Sequence, residues 1–404
     1  MTISEPASVT RFRDYVKIET VHPTPDYAKC TEFLIAQAEE IGLGHQVVEL
    51  VKGKPVVILK LEGSDPSLPA ILLNSHTDVV PVYREKWDYD PFAATRVEVE
   101  NGDHRIYGRG TQDMKVTGSL YLEAFRQIKA SGKKFLRNVY STFVPDEEIY
   151  SIEGMMPFSK SQEFKDLNIG FGIDEGGPSI NENTYYFTSE RTTCPVTFTA
   201  HGNTGHGSQF IEGTAIEKLL PIINELMLLR ETQLSKLKKI GGIMLFNQGQ
   251  VTSVNLTMLE GGKQPNVVPA TFSATFDIRI TPLLDLAEFY KYLEDLAEKN
   301  ECDIEFHYRD EPNKSLKITE TNPFMVEIKS ACSKHGLNPV EMVMPAATDA
   351  RFVRQAGIQA VGINPMINHK LLAHDHNEYI IESEYIKSIP FYTDLIERLA
   401  SVPN

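Results

Sequence analysis

Two rhythms of hydrophobicity run through the 404 residues, and the point where one interrupts the other constrains the fold more than any other feature. Up to about residue 190, helical apolar spacing alternates with short β-rich runs. "SVTRFRDYVKIE" and "DYAKCTEFLIAQAEEIG" place apolar residues at helical intervals, whereas "KPVVILKLEG" and "PAILLNSH" are apolar runs bounded by turn formers. "KVTGSLYLEAFRQIKASG" reads as a helix stopped by Gly132, and "NVYSTFVPDEE" and "LNIGFGIDEGG" as buried strands ending in acids. This alternation predicts an α/β fold with a largely parallel sheet, whose ligands bind beyond the carboxyl ends of the strands.

Between about 191 and 310 the order becomes β-α-β-β-α-β. In "ATFSATFDIRI", Phe272, Ala274, Phe276, Ile278 and Ile280 alternate with polar residues, as in an antiparallel strand buried on one face. The long amphipathic "GTAIEKLLPIINELMLLRETQLSKLKKI" and the shorter "LAEFYKYLEDLAEKN" supply the helices of a ferredoxin-like α+β unit. From about 311 the first rhythm resumes. The expectation is one discontinuous α/β domain, 1–190 with 311–404, carrying an inserted domain at 191–310.

Charge and cysteine content narrow the setting. Forty basic against 55 acidic residues give a formal charge of −15, so neither nucleic acid nor a membrane is expected as a partner. No apolar run approaches the roughly 20 residues of a membrane span, and the N-terminus shows no targeting signal. Cys30, Cys194, Cys302 and Cys332 are scattered, without a Cys-x-x-Cys pair. That disfavours disulfides or a Cys-ligated zinc, and a cytoplasmic location is expected.

The chemistry sits in "NSHTD", "GRGTQDMK", "VPDEEIY", "GIDEGG" and "AHDHNE". Each alone could be a turn or a solvated strand end. Together they set several carboxylates at one sheet edge, where they repel unless a cation lies among them. His and carboxylate donors without Cys suit Zn²⁺ or a similar ion in an open catalytic site. Asp113, Glu148 and Glu175 bring three negative charges, which two divalent ions and a bridging hydroxide balance. With Asp113 shared, each ion also receives one His and one Glu, as in two-metal hydrolytic sites. Asp78 follows His76 closely enough to take its free N–H and orient the ring. Glu147 and Glu148 cannot both serve one ion from a regular strand. The one left free is positioned as general base and then general acid.

Taken in order, "SHTD", "GRGTQDMK", "DEE", "DEG" and "HDHNE" resemble the di-zinc amidohydrolase and metallopeptidase family, nearly end to end. That family includes aminoacylases, glutamate carboxypeptidases and carnosine-type dipeptidases. "LLNSHTDVVPV", "TFVPDEE", "VTSVNLTMLEGG", "NVVPAT" and "MPAATDAR" are most similar to its cytosolic aminoacylase branch. The resemblance implies two Zn²⁺ per subunit; because geometry and availability decide metal selectivity, Co²⁺ or Mn²⁺ are expected substitutes. His76 and Glu175 would hold one ion, Glu148 and His374 the other, with Asp113 bridging and Glu147 as the acid/base. His374, four residues before Glu378, matches the family ligand and His376 does not. It also implies a zinc-peptidase-like catalytic domain and a lid and dimerisation domain at 191–310, hence a homodimer. His206 in "GNTGHGS" would reach a neighbouring subunit's site and stabilise the oxyanion. Asn266 and Arg279, assisted by Arg351, would hold the substrate carboxylate.

The activity so implied is hydrolysis of the amide of N-acyl-L-amino acids, preferably N-acetyl neutral ones. The alternatives are a dipeptidase or carboxypeptidase of the same family, a two-metal phosphoesterase, or a catalytically inactive metal-binding dimer. One departure stands out: many family members follow the paired Glu with two glycines, where this chain has "DEEIYSIEG".

Overall fold

The computed structural model describes residues 5–99, 102–241, 247–314 and 316–403. These divide into two compact units. One comprises 1–188, 313–341 and 348–404, and the other 189–312 with 342–347.

The first unit is built on a mixed sheet. Its strands follow the order Gly44–Val51, Lys54–Leu61, Val139–Val144, Ala70–His76, Ile169–Asp174, Gln359–Ile363, Asn183–Glu190 and Asn338–Met344. The four strands from Val139–Val144 to Gln359–Ile363 run parallel. Ala70–His76 is buried along its whole length, with Ile71 and Leu73 in one apolar cluster and Leu72 in another. The helices Tyr27–Ile41, Lys115–Ser131 and Glu382–Ser401 supply Leu34, Leu120 and Leu395 to the first cluster. Met155–Lys160 and Ala350–Gln355 supply Phe158 and Phe352 to the second. Each such side chain contributes about 1.5–3 kcal/mol relative to exposure. Lys115–Ser131 ends where the sequence predicts, at Gly132 with φ +66°, a left-handed conformation that glycine takes without steric cost.

What matters for chemistry is where the parallel strands stop. The register pairs His76 with Val144, so the two strands end at the same sheet edge. Glu147 and Glu148 follow in a single 3₁₀ turn, and Glu175 follows directly on Ile169–Asp174.

The second unit is a four-stranded antiparallel sheet ordered Ser253–Gly261, Thr271–Ile280, Thr192–His201, Cys302–Phe306. Ala215–Ile240 begins with a capping box between Thr214 and Glu217, and Asp285 caps Leu286–Lys299. Leu219, Leu226 and Leu293 from these helices pack with Phe198, Ala274 and Phe276 from the sheet. This is the ferredoxin-like order, and Thr271–Ile280 buries the face its alternation predicts.

Candidate metal centre

The strand ends and loops of the first unit assemble two triads around one carboxylate. His76, Asp113 and Glu175 form one, and Asp113, Glu148 and His374 the other, with ligand atoms within 4.8 Å of one another in each. Asp113 turns one oxygen to each: Oδ1 is 3.1 Å from His76 Nε2, and Oδ2 is 3.2 Å from His374 Nε2. Glu175 Oε2 is 3.8 Å from His76 Nε2, and Glu148 Oε2 is 2.9 Å from His374 Nε2.

The electrostatics of this set call for cations. Burial pushes the Glu148 carboxyl up to about 7 and that of Glu175 up to about 8, and the Asp113 charge adds to both. Hydrogen bonds to Asp113 and Glu148 drive His374 up to about 10. Burial acts against a charged His76, yet bonds to Asp113, Asp78 and Glu175 raise it well above its usual value. Close His–carboxylate contacts thus fill the space that a divalent ion would take. Glu148 Oε1 is buried without a hydrogen-bond partner among the described residues, as an unused ligand atom would be. On donor chemistry and geometry, the residues fit a two-metal group.

Two organising carboxylates hold the donors in place. Asp78 is one, and it meets more than the His76 ring. The nearest acceptor for His76 Nδ1 is the Asp78 main-chain oxygen at 2.9 Å, with the carboxylate farther away at 3.5 Å. The carboxylate also accepts the main-chain N–H groups of Glu147 and Glu148, each at 3.1 Å. A two-residue spacing cannot reveal such a contact across 69 residues.

Glu378 is the other; in the sequence it serves only to align His374. It is buried and accepts from Arg109 Nη1 at 2.6 Å and from the N–H groups of Gly110, Gln112 and Asp113 at 3.2, 2.6 and 3.3 Å. One carboxylate thus folds the loop that presents Asp113. Its partners lie more than 260 residues away in sequence, so no local signal identifies it.

Glu147 has no place in either triad. Burial, with the Glu175 charge next in importance, pushes its carboxyl well above the usual range. Arg351 lies behind it: Nη1 is 3.9 Å from Glu147 Oε1 and donates to Thr348 O, while Nη2 donates to Tyr150 O. The structure therefore ties Arg351 to the Glu147 loop. The missing glycine pair leaves its mark there too. Tyr150 and Ser151 have φ of +74° and +55°, left-handed values that glycines adopt without strain. The Ser151 N–H bonds Asp146 O and its hydroxyl bonds Asp349, which fastens the turn in that conformation.

His206, Asn266 and Arg279 all belong to the second unit. His206 lies exposed on a short ladder opposite Val267, where the Gly207 N–H donates to Asn266 O at 2.8 Å. Arg279 makes two bonds to Asp277, at 2.8 and 3.0 Å, and donates to Thr193 Oγ1. A second guanidinium, Arg191, lies near enough for Arg279 to add to the burial that lowers it to about 10. Its Nε and Nη1 donate to Pro345 O and Ser253 Oγ.

This site on this fold defines a class. Residues 72–398 match the model of peptidase family M20/M25/M40, and the chain belongs to that family. Within it, the chain is 42% identical over 403 residues to aminoacylase-1 of Mus musculus, covering 99% of this chain and 97% of that protein. Among solved structures, it resembles an M20 family metallo-carboxypeptidase from Sulfolobus solfataricus with a TM-score of 0.76 and 20% identity, covering 99% and 100% of the two chains. A dinuclear metal-binding M20 peptidase from Bacillus subtilis aligns with a TM-score of 0.68 and 15% identity, over 99% and 100%. No helix among the described residues is long and apolar enough to cross a membrane.

Proposed function

We propose that this protein is a zinc-dependent aminoacylase, hydrolysing the amide of N-acyl-L-amino acids to a free amino acid and a carboxylate. The observation that carries the reading is the pair of Asp113 oxygens at 3.1 and 3.2 Å from two imidazoles, each of which faces its own glutamate. His76 and Glu175 would hold one Zn²⁺, Glu148 and His374 the other, and Asp113 both. When bound, the ions supply Lewis-acid polarisation of the amide carbonyl and a lowered pKa for water.

The remaining steps belong to side chains. Glu147 takes a proton from the attacking water and delivers it to the leaving nitrogen, a dual role suited to a buried carboxyl with a raised pKa. Arg279 and Asn266 hold the substrate carboxylate. Arg351, bonded to main chain beside Glu147, steadies that loop. His206 stabilises the oxyanion in the site of a second copy, so the active species is a homodimer and residues 191–310 act as its lid and dimerisation domain. His206→Asn should slow turnover by about 10²–10³-fold, the usual cost of one oxyanion donor. A near-normal kcat in that variant would sink the trans-acting role. The reducing cytosol fits four cysteines that remain free.

The carboxypeptidase alternative, with a C-terminal glutamate as substrate, draws support from a different feature, the second guanidinium of Arg191 near Arg279. Commitment of Arg191 to Pro345 and Ser253 leaves it poorly suited to a second substrate carboxylate. The deciding experiment compares amine release from N-acetyl-methionine, a neutral dipeptide and an acyl-glutamate, with and without a zinc chelator. Fast, chelator-sensitive release from N-acetyl-methionine alone is expected. Preference for the dipeptide would reassign the substrate and keep the site. No release from any of them by metal-loaded protein would leave a binding protein in place of an enzyme.

A further inference from the structure

Behind the metal centre lies a third His/Asp cluster, formed by His22, Asp78 and Asp146. Its donor set could suit a cation, but cationic and hydrogen-bonding partners already surround it. Lys54 Nζ is 2.5 Å from Asp146 Oδ2. The Tyr27 hydroxyl donates to Asp146 Oδ1 at 2.6 Å and accepts the Asp146 N–H at 3.0 Å. The Asp78 oxygens receive the Glu147 and Glu148 N–H groups. Asp78 Oδ2 also lies 2.8 Å from His22 Nε2, and since a carboxylate only accepts, His22 is the donor. The cluster is a clamp on the turn that carries the paired glutamates.

His22 is held to this task from its own side. Its main-chain N–H donates to Val79 O at 3.1 Å, and the Val79 N–H donates to Thr20 O at 2.9 Å. That bridge seats the segment on the residue following Asp78. The ring is only 9% exposed, and neither metal triad includes it. The turn it backs is costly to hold, because Asp146, Tyr150 and Ser151 all carry left-handed φ. Non-glycine residues in that region persist only where surrounding contacts over-determine them.

We propose that His22 is a positioning residue: its bond to Asp78 aligns that carboxylate with the Glu147 and Glu148 N–H groups, and so sets where the Glu147 carboxyl stands. This rests on the reading of Glu147 as the acid/base. His22 touches neither substrate nor metal, so its effect falls on kcat. Misplacement of a reacting group by about 1 Å costs up to about 10²-fold in rate.

The test compares zinc-loaded wild type, His22→Ala, His22→Gln and Glu147→Gln on N-acetyl-methionine, recording kcat, KM, bound zinc and Tm. His22→Ala is expected to lower kcat by about 10–100-fold while KM and zinc content stay within about twofold, since most ligands are anchored elsewhere. His22→Gln, whose amide can donate from near the Nε2 position, should recover most of that loss, which a merely structural role would not predict. Where His22→Ala does not fold, His22→Asn withdraws the donor while keeping a polar side chain, and the same kcat loss is expected of it. Unchanged kcat in His22→Ala or His22→Asn, with Glu147→Gln inactive, overturns the inference alone. Loss of zinc in step with kcat also overturns it, because His22 would then be holding ligands. Full turnover by Glu147→Gln overturns the acid/base reading beneath it.

Discussion

Asp113→Ala is expected to lose both metal ions and, with them, turnover down to background. Its carboxylate is the one donor common to the two triads, with one oxygen on each side. Removal therefore takes one of three protein ligands from each ion at once, whereas loss of His76 or His374 takes a ligand from one. It also removes the acceptor that holds both imidazoles. The metal-free protein need not unfold, because Asp113 is the leading charge that raises Glu148 and Glu175, and its absence relieves that repulsion. The loop itself stays organised by Glu378, which bonds the Gly110 and Gln112 N–H groups independently of the Asp113 side chain. Metal analysis after dialysis, beside a thermal unfolding curve, tests this. Retention of one full equivalent of zinc would mean that Asp113 serves a single ion, and the shared-ligand geometry would have to be abandoned.

Much of the two triads was legible in the sequence because His76, Glu148 and Glu175 are acids or an imidazole placed where apolar runs stop, and a parallel register brings such stops to one edge. His76 opposite Val144 is that relation made concrete. The ferredoxin-like unit was equally legible, since period-2 alternation in Thr271–Ile280 maps directly onto one buried face. Elements without a buried face were not. Gly44–Val51 leaves most of its residues exposed, and Asn338–Met344 is half-buried throughout its apolar positions, so neither carries a clear period. The segment 342–347, which joins the second unit across a long gap in sequence, left no local trace for the same reason.

The organising residues were hidden differently. Glu378 and His22 look like ordinary loop residues, and their importance lies in which distant N–H groups or carboxylates they meet. Asp78 was recognised for its place beside His76, but its contact with the turn at Glu147 was not. Proximity in sequence pointed to the His76 ring, and the fold adds the N–H groups of the turn at Glu147 to what its carboxylate meets. The identity of a candidate ligand is a matter of residue type at the end of an apolar run, whereas its placement is a matter of tertiary hydrogen bonding. The first can be read locally and the second cannot.

Glu147→Gln should lower kcat by at least about 10²–10⁴-fold, the range of a positioned acid/base, while leaving zinc content intact. The side chain stands outside both triads, so no ligand is lost. The substitution is nearly isosteric, and the turn keeps its form because Asp78 grips the main-chain N–H of residue 147, not its side chain. What disappears is a group able to accept a proton from water and return it to nitrogen. Burial and the nearby Glu175 charge raise the wild-type carboxyl, which favours the proton-carrying form that the second half of the reaction needs. An amide can neither take nor give that proton under the same conditions. KM should change little if Asn266 and Arg279 carry substrate binding, so the defect belongs in kcat. Glu148→Gln offers the contrasting result, because Glu148 Oε2 faces His374 in the second triad and its loss should reduce metal content as well as rate. If the two variants exchanged behaviour, with zinc lost from Glu147→Gln and retained by Glu148→Gln, the roles of the neighbouring glutamates would have to be reversed.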